Sequence, residues 1–233
     1  ASLLWRKSLD QRFAGIQVKV QVELAGPRAT WRLEVENDSR DWSVWRVVFP
    51  QVALGRIGES ELDDRFVYPF VSGQLVEAPL TKPLSYRGLY PECVATMQFF
   101  AHYDKDCGLY IAAHDPLAGT KELHADVQQS SRIVAAAIQE DCGTPALMCS
   151  FNVPAENMGV PGNKFRTSGT VVMEAFHGDW FDAAQIYKRW MEKDAKYLAE
   201  IAPGACADEP PPGAVVKRPA EEKLLVQEVS SVA

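Results

Sequence analysis

The chain has 233 residues, of which 47% are hydrophobic and 24% are charged, and its formal net charge is -7. This composition is sufficient for the core of one large globular domain. Nucleic-acid binding draws much of its free energy from Lys and Arg side chains that displace counterions from phosphates, so we expect no nucleic-acid partner for this acidic chain. No run approaches the roughly 18 to 20 apolar residues of a membrane span, and the N-terminal residues lack the apolar region of a signal peptide. We therefore expect no membrane partner, and the sequence leaves the compartment open.

The first part of the chain shows the alternation of apolar and polar residues that is typical of β-strands. Residues 17–24 (QVKVQVEL) and 30–37 (TWRLEVEN) each place their apolar side chains on one face, and the AGPR sequence between them predicts an antiparallel hairpin. Trp45 and Phe49 share one face of the next run, WSVWRVVFPQVALG. Pro50 ends that strand or confines it to a sheet edge, because proline cannot donate a ladder hydrogen bond.

Residues 56–90 interrupt this pattern with Gly, Pro and acidic residues. We interpret them as a long irregular segment, and such segments in compact domains are frequently functional. Alternation resumes in residues 93–104 and 109–116, which predict a second hairpin around the KDCG turn. Further β-like runs cover residues 126–138, 146–154 and 167–176.

A different pattern begins at Gly178, where apolar residues recur at helical spacing in GDWFDAAQIYKRWMEKDAKYL. Asp179 is a natural N-cap, and Asp182 lies in the first turn, where the helix dipole favours an anion. We therefore predict a mainly β fold, an antiparallel β-sandwich over residues 1–177, followed by one amphipathic helix over residues 178–198. Residues 199–233 contain three consecutive prolines and are expected to be a flexible tail or linker.

The six tryptophans are numerous enough to suggest stacking against sugars. Three of them, however, lie on faces that the pattern assigns to the core. We therefore predict structural packing for Trp31, Trp45 and Trp190.

The five cysteines form no CxxC pair and do not have the spacing of a zinc site. We expect no metal site and no cofactor, and we favour free buried thiols. Cys142 and Cys149 could also pair across a loop.

The four histidines lie in different segments, and the sequence contains no GxSxG elbow, P-loop, dinucleotide fingerprint or HExxH motif. His114 and Asp115 are adjacent, and adjacent residues on a strand point to opposite faces. They could act together only if the strand ended there, which Pro116 favours. We prefer a strand-end turn to a functional site for this HDP sequence.

Six stretches of the chain resemble a known domain: WRLEVEN, FPQVALG, VYPFVSGQLVEAPL, YPECVATMQFFAHYD, GLYIAAHDPLAGTKE and FHGDWFDAAQIYKRW. Together they are similar to the β-sandwich that precedes the barrel in glycoside-hydrolase-like proteins of the domain of unknown function 6259 family. That domain resembles the super-β-sandwich of endo-α-N-acetylgalactosaminidases, within the galactose-mutarotase-like architecture. The resemblance covers roughly residues 3 to 198, and none of its motifs is catalytic.

The resemblance implies that the C-terminal helix connects the sandwich to a (β/α)₈ barrel domain, which would carry the active site. The catalytic carboxylates would then have no positions in this sequence, and the chain would be a piece of a longer protein, truncated at both ends. We accordingly expect a non-catalytic module of a glycoside-hydrolase-like protein that supports a barrel and has no catalytic residues of its own. Carbohydrate contact is assigned to the irregular segment and the HDP turn, through Tyr68, Glu77, His114, Asp115 and Lys121.

An alternative is a sugar-active enzyme of mutarotase or epimerase type. Mutarotases place histidines and a glutamate on the concave face of such a sandwich and open a sugar ring by acid and base catalysis. In this chain the corresponding roles would fall to His102, His114, His124 and Glu174.

Overall fold

The structure is a computed structural model that describes residues 1–6, 11–129 and 145–195. In chain order its strands are β1 (Ser2–Trp5), β2 (Ile16–Ala25), β3 (Arg28–Asn37), β4 (Arg46–Leu54), β5 (Arg65–Tyr68), β6 (Gln74–Glu77), β7 (Ser85–Tyr90), β8 (Phe99–Tyr103), β9 (Cys107–His114), β10 (Lys121–Gln129), β11 (Pro145–Pro154), β12 (Phe165–Arg166) and β13 (Thr170–His177). Short 3₁₀ turns cover Gln11–Phe13 and Pro79–Thr81, and one helix, α1 (Trp180–Asp194), follows β13.

The described strands form two antiparallel sheets. Sheet A has the order β1-β2-β3-β13-β9-β8-β5-β6, with β12 also pairing with β3, and sheet B has the order β4-β11-β10-β7. Apolar residues from the two sheets form one core between them, which includes Phe66 and Phe100 from sheet A and Leu123 and Phe151 from sheet B. The predicted class, a mainly β fold with antiparallel sheets and one helix near the C-terminus, is confirmed.

Both predicted hairpins are present. In the first, β2 and β3 pair from Ile16 opposite Asn37 to Ala25 opposite Arg28. In the second, β8 and β9 pair from Phe99 opposite Ala112 to Tyr103 opposite Gly108. Pro50 lies within β4, which is the edge strand of sheet B, so the proline confines the strand to an edge and does not end it.

The prediction of an irregular segment over residues 56–90 was wrong in part, because β5, β6 and β7 lie within it. These strands have four to six residues each, and Gly and Pro between them hide their alternation. β6 pairs with its sequence neighbour β5, but β5 and β7 also have partners that are distant in sequence, β8 and β10. The β-like run predicted over residues 126–138 is the end of β10, which begins earlier, at Lys121; its residues from 130 onward lie outside the described residues.

The helix α1 covers the face of sheet A that points away from sheet B. Its buried residues pack on side chains from β8, β9 and β13. The predicted N-cap is confirmed, since the Asp179 carboxylate accepts a hydrogen bond of 2.9 Å from the Phe181 amide and the Asp182 carboxylate accepts one of 3.0 Å from the Asp179 amide. Gly178 precedes this cap with φ +105°, and a Cβ there would lie 1.9 Å from Asp182 Oδ2, so glycine is required. Residues 196–198 and the predicted tail over residues 199–233 lie outside the described residues.

The three tryptophans predicted to pack in the core differ in how far they are buried. Trp190 is buried, with 8% of its surface exposed, and Trp31 is partly buried against the core. For Trp45 the prediction was wrong, because 65% of its surface is exposed. The alternation fails because β4 begins only at Arg46, after an extended segment in which Val44 packs against the core instead.

Three of the cysteines lie within the described residues and are free: Cys93 and Cys107 are exposed and Cys149 is buried. Because Cys149 is free, the alternative of a disulfide between it and Cys142, which lies outside the described residues, was wrong. Among the described residues we find no group of three metal-ligating side chains and no helix of the length and hydrophobicity that a membrane crossing demands.

We expect Trp190→Ala to lower the free energy of unfolding by about 3 to 5 kcal/mol, because it removes a large buried side chain at the contact between α1 and sheet A. Urea denaturation at neutral pH measures this loss. Lys188→Ala, on the exposed side of the same helix, is the matched control and should change stability by less than about 0.5 kcal/mol. A loss below about 1 kcal/mol for Trp190→Ala would show that α1 contributes little to the stability of the sandwich.

Candidate functional site

The HDP sequence forms a turn at the end of β9. The strand ends at His114, and the Asp115 amide donates a hydrogen bond of 2.9 Å to the Ala113 carbonyl. The Asp115 carboxylate then accepts hydrogen bonds from two amides of the following loop, from Leu117 at 3.0 Å and from Gly119 at 2.9 Å. The aspartate therefore shapes the turn in the manner expected of a residue whose side chain bonds the backbone just after it.

Lys121, the first residue of β10, forms a buried ion pair with Asp115. Its Nζ lies 3.0 Å from Asp115 Oδ2, and the two side chains are only 2% and 1% exposed. Gln98 accepts a second hydrogen bond from Nζ at 2.8 Å, and the ring centroid of Tyr90 is 4.8 Å from the same nitrogen. Ser168 donates a hydrogen bond of 2.6 Å to the other carboxylate oxygen. Both charges are thus surrounded by protein partners.

The electrostatics of this pair follow from its hydrogen bonds. Burial by itself raises the pKa of Asp115, but the hydrogen bond from Ser168, the charge of Lys121 and the amide of Leu117 outweigh it, so the pKa lies below its usual value. Burial lowers the pKa of Lys121, and the Asp115 carboxylate opposes that effect. The pair is therefore held as two charges that neutralise each other.

His114 lies on the opposite side of sheet A from this pair, beneath the helix. Its ring stacks on Trp190 at 4.4 Å between centroids with 10° between the planes. Its Nε2 is 2.9 Å from the hydroxyl of Tyr110, and only 5% of the residue is exposed. Burial lowers the pKa of His114 to about 3, so the ring is neutral at physiological pH. This histidine packs the helix against the sheet.

A small cavity borders the Lys121 end of the network, between the two sheets. Its volume is about 10 Å³, and its lining includes Phe49, Lys121, Phe151 and Ser168. A space of this size holds about one water molecule, whereas drug-sized ligands occupy hundreds of cubic ångströms. The cavity as it stands does not admit a sugar ring.

The two remaining residues of the predicted site lie on the neighbouring strands β5 and β6. Tyr68 is buried in the core, and its hydroxyl donates to the Gln74 side chain. Glu77 is exposed and lies 3.4 Å from the guanidinium of Arg65. The structure thus brings Asp115 and Lys121 together, places the His114 side chain on the other face of sheet A, and gives Tyr68 and Glu77 other partners. Carbohydrate contact through these five residues stays a prediction.

The four residues of the mutarotase alternative point to three different regions. His102 has the same strand parity as Phe100, which belongs to the core between the sheets. His114 shares the helix-covered face of sheet A with Glu174, whose carboxylate accepts a hydrogen bond of 2.7 Å from Arg28. His124 alternates with the buried Leu123 and therefore faces outward from sheet B.

His102 is buried beside an acidic group. Its Nε2 lies 3.2 Å from Asp64 Oδ2, and the two side chains are 1% and 0% exposed. Burial lowers the pKa of His102 to about 4 and raises the pKa of Asp64 to about 6. The pair faces no described cavity and serves the packing of β5 against β8.

On the outward face of sheet B, His124 of the mutarotase alternative pairs with Glu122, to which our sequence analysis gave no role. Glu122 Oε2 is 3.3 Å from His124 Nε2 and accepts a hydrogen bond of 2.7 Å from the Asn152 side-chain amide. The hydrogen bonds from Asn152 and His124 hold the pKa of Glu122 below its usual value. The alternation of polar and apolar residues in KELHAD could have indicated this pair. If β10 starts at residue 121, residues 122 and 124 lie on the same face of the strand.

Comparison with known proteins gives a fold likeness. No family model matches the chain, and no curated protein sequence matches it. Among solved structures, the chain is similar to the ligand-free α-N-acetylgalactosaminidase NagBb from Bifidobacterium bifidum, with a TM-score of 0.51 and 11% sequence identity. The match covers 82% of this chain and 30% of that chain, so the chain spans less than one third of the enzyme's length. The shared feature is the fold.

We expect Lys121→Met to lower the free energy of unfolding by about 3 to 5 kcal/mol, because it leaves the Asp115 carboxylate buried without its cation. Asp115→Asn should also destabilise the protein, and the double variant should lose less than the sum of the two single losses. Urea denaturation of the four proteins measures this coupling. Lys105→Met, which breaks an exposed pair with Asp106, is the control and should be nearly neutral. Additive losses would contradict the pairing.

The buried, neutral His114 gives a pH dependence. The pKa of His114 is about 3 in the folded protein and near 6.5 in the unfolded chain, so between pH 3 and pH 6.5 the unfolded chain binds the extra proton. Stability should therefore rise with pH across that window and level off above it. His114→Gln should flatten this rise by up to about 1.4 kcal/mol per pH unit. Urea denaturation from pH 4 to pH 8 tests the slope. Parallel profiles for the two proteins would show that burial does not lower the pKa of His114.

Proposed function

We propose that this chain is a non-catalytic β-sandwich module of a glycoside-hydrolase-like protein of the domain of unknown function 6259 type. In this proposal the module supports a (β/α)₈ catalytic barrel and contacts carbohydrate. The fold likeness to one part of an α-N-acetylgalactosaminidase supports a carbohydrate-related β-sandwich.

The observation that carries the non-catalytic role is the separation of the acid–base groups. His102 lies within the core between the sheets, His114 lies under α1, and His124 lies on the outward face of sheet B. Glycoside hydrolysis needs a general acid and a second carboxylate at a fixed separation around one scissile bond. A buried histidine with a lowered pKa, stacked against Trp190, does not meet that requirement.

The buried network supports the same role. Asp115 and Lys121 form an ion pair inside the protein. His114 forms a hydrogen bond with Tyr110 and stacks on Trp190. These residues hold the sheets and the helix in fixed positions, which is what a supporting module must do. A helix that packs firmly on the sandwich would also transmit that fixed position to a domain attached after it.

A second candidate function, a sugar-active enzyme of mutarotase type, is favoured by one observation. Glu122 and His124 are partly exposed neighbours, with side chains 44% and 20% exposed. A carboxylate and a histidine side by side are the two residue types that acid–base catalysis most often uses. We rank this candidate second because the partners required from the other histidines lie elsewhere.

We expect the purified chain to release no aryl alcohol from aryl galactosides or aryl N-acetylgalactosaminides above the rate in buffer. It should also leave the rate of anomer interconversion of galactose unchanged, as followed by polarimetry. The physical reason is the absence, among the described candidates, of two acid–base groups that flank a common open space. These two assays separate hydrolysis from mutarotation.

Variants make the test specific. If turnover survives purification and disappears in Glu122→Gln or His124→Ala, the chain is an enzyme and the non-catalytic role is wrong. His177→Ala, an exposed histidine on a different strand, is the matched control and should leave any activity unchanged. Turnover that none of the variants alters would point to a contaminating enzyme.

A further inference from the structure

Two loops at one end of the sandwich expose large apolar side chains. Trp42 and Trp45 belong to the segment before β4 and are 41% and 65% exposed. Met158 and Val160, in the loop between β11 and β12, are 51% and 55% exposed. We call these four residues the tryptophan platform. Four exposed apolar side chains on two neighbouring loops exceed the scattered single ones that are normal on a protein surface.

The two loops are joined directly to each other. The Gly159 amide donates a hydrogen bond of 2.9 Å to the Ser43 hydroxyl, and the Gly162 amide donates one of 3.1 Å to the Trp42 carbonyl. Next to β4, the Ala155 amide donates a hydrogen bond of 2.9 Å to the Trp45 carbonyl. The four apolar side chains are therefore carried by two backbone segments that are joined by hydrogen bonds.

Two buried asparagines fix this backbone from below. Asn163, which is 5% exposed, accepts a hydrogen bond of 2.9 Å from the Val44 amide and donates one of 2.8 Å to the Val44 carbonyl. Asn37, which is fully buried, donates a hydrogen bond of 2.8 Å to the Trp42 carbonyl. Val44 is thereby held against the core, and Trp45 is left on the surface. Binding surfaces gain affinity from such preorganisation because less freedom is lost on association.

The edges of the platform are polar and electrically balanced. The two segments and the start of β4 carry six exposed charged residues: Asp38, Arg40, Asp41, Arg46, Glu156 and Lys164. Three basic and three acidic side chains leave no net charge. This balance disfavours a polyanion or an anionic membrane surface, and it suits a neutral ligand that presents both apolar C–H groups and hydroxyls.

We propose that the tryptophan platform binds a neutral saccharide, with a pyranose ring stacked on an indole face and its hydroxyls bonded by the flanking charged side chains. This proposal rests on the proposed carbohydrate-contacting role. It places the contact at the tryptophan platform and not at the five residues that the sequence analysis predicted. Indole is suited to the task, since it offers a large apolar face and has few rotatable bonds to immobilise. Trp42 is further held by an edge-to-face contact with Phe13 at 5.1 Å.

The test is a titration of the full chain with galactose, N-acetylgalactosamine and their β-linked disaccharides, followed by calorimetry and by ¹H–¹⁵N indole NMR signals. We expect the signals of Trp42 and Trp45 to shift, and we expect Trp45→Ala to raise the Kd about tenfold, the loss that follows when one stacked face is removed. Trp45→Phe should retain most of the affinity. Because Trp45 is exposed, its replacement should leave the thermal midpoint nearly unchanged.

The matched control is Leu24→Ala, which removes an apolar side chain that is 79% exposed at the far end of β2, next to the turn into β3. This variant should leave the Kd unchanged. If saccharide binds equally well to Trp45→Ala and Trp42→Ala, the platform is not the site, while the carbohydrate-contacting role stands. If no saccharide binds at millimolar concentration, both the platform and the carbohydrate contact are overturned. Self-association that Trp45→Ala abolishes, without saccharide binding, would identify the platform as a protein interface and overturn the proposal.

Discussion

The middle strands of sheet A are covered on both faces, by sheet B on one side and by α1 on the other, and the rest of the structure depends on this constraint. All five residues of β8 and the last five of β9 are buried. Buried polar groups that lack hydrogen bonds cost free energy, so these strands favour polar side chains that find partners within the protein. His102 on β8 is an exception, because neither of its ring nitrogens makes a hydrogen bond, although Nε2 lies 3.2 Å from Asp64 Oδ2. His114 on β9 does find partners, the Tyr110 hydroxyl and the Trp190 ring, and it thereby becomes part of the packing between helix and sheet.

The same constraint explains the charged network at the end of β9. Asp115 follows a strand of sheet A, and Lys121 begins a strand of sheet B, so their ion pair joins the two sheets where they meet. Gln98 extends this junction: its amide donates to the Asp115 carbonyl at 3.3 Å, and its backbone lies 3.4 Å from the Tyr187 hydroxyl of α1. Removing one partner of a buried pair is costly because the other charge is left unpaired, which makes the junction sensitive to single substitutions.

Much of the fold could be predicted from local patterns, and the exceptions have physical causes. The β2–β3 and β8–β9 hairpins and the Asp179 cap depend on residues close in sequence, so alternation and capping rules suffice. Strands β5, β6 and β7 were missed because their runs are short, and β5 and β7 also pair with strands far along the chain. The end of β9 before the HDP turn was predictable from proline, but the partner of Asp115 was not, since only the meeting of the two sheets brings Lys121 within 3.0 Å.

Trp45 shows why the type of a residue does not by itself locate a functional surface. Its alternation with Phe49 predicts burial. However, the side chain of Asn163, which is distant in sequence, forms hydrogen bonds with both the amide and the carbonyl of Val44, and Val44 faces the core in its place. Conversely, His114 and Asp115 are residue types that are common in catalytic sites, but here both make contacts inside the protein. In these two places, residue types suited to catalysis hold the fold together and residue types suited to packing are presented to solvent. Two nearly inaccessible asparagines bond the backbone of Val44 and Trp42, in the segment that carries the two exposed indoles. In the role that we propose, recognition takes place at these loops and the sheets beneath them act as the support.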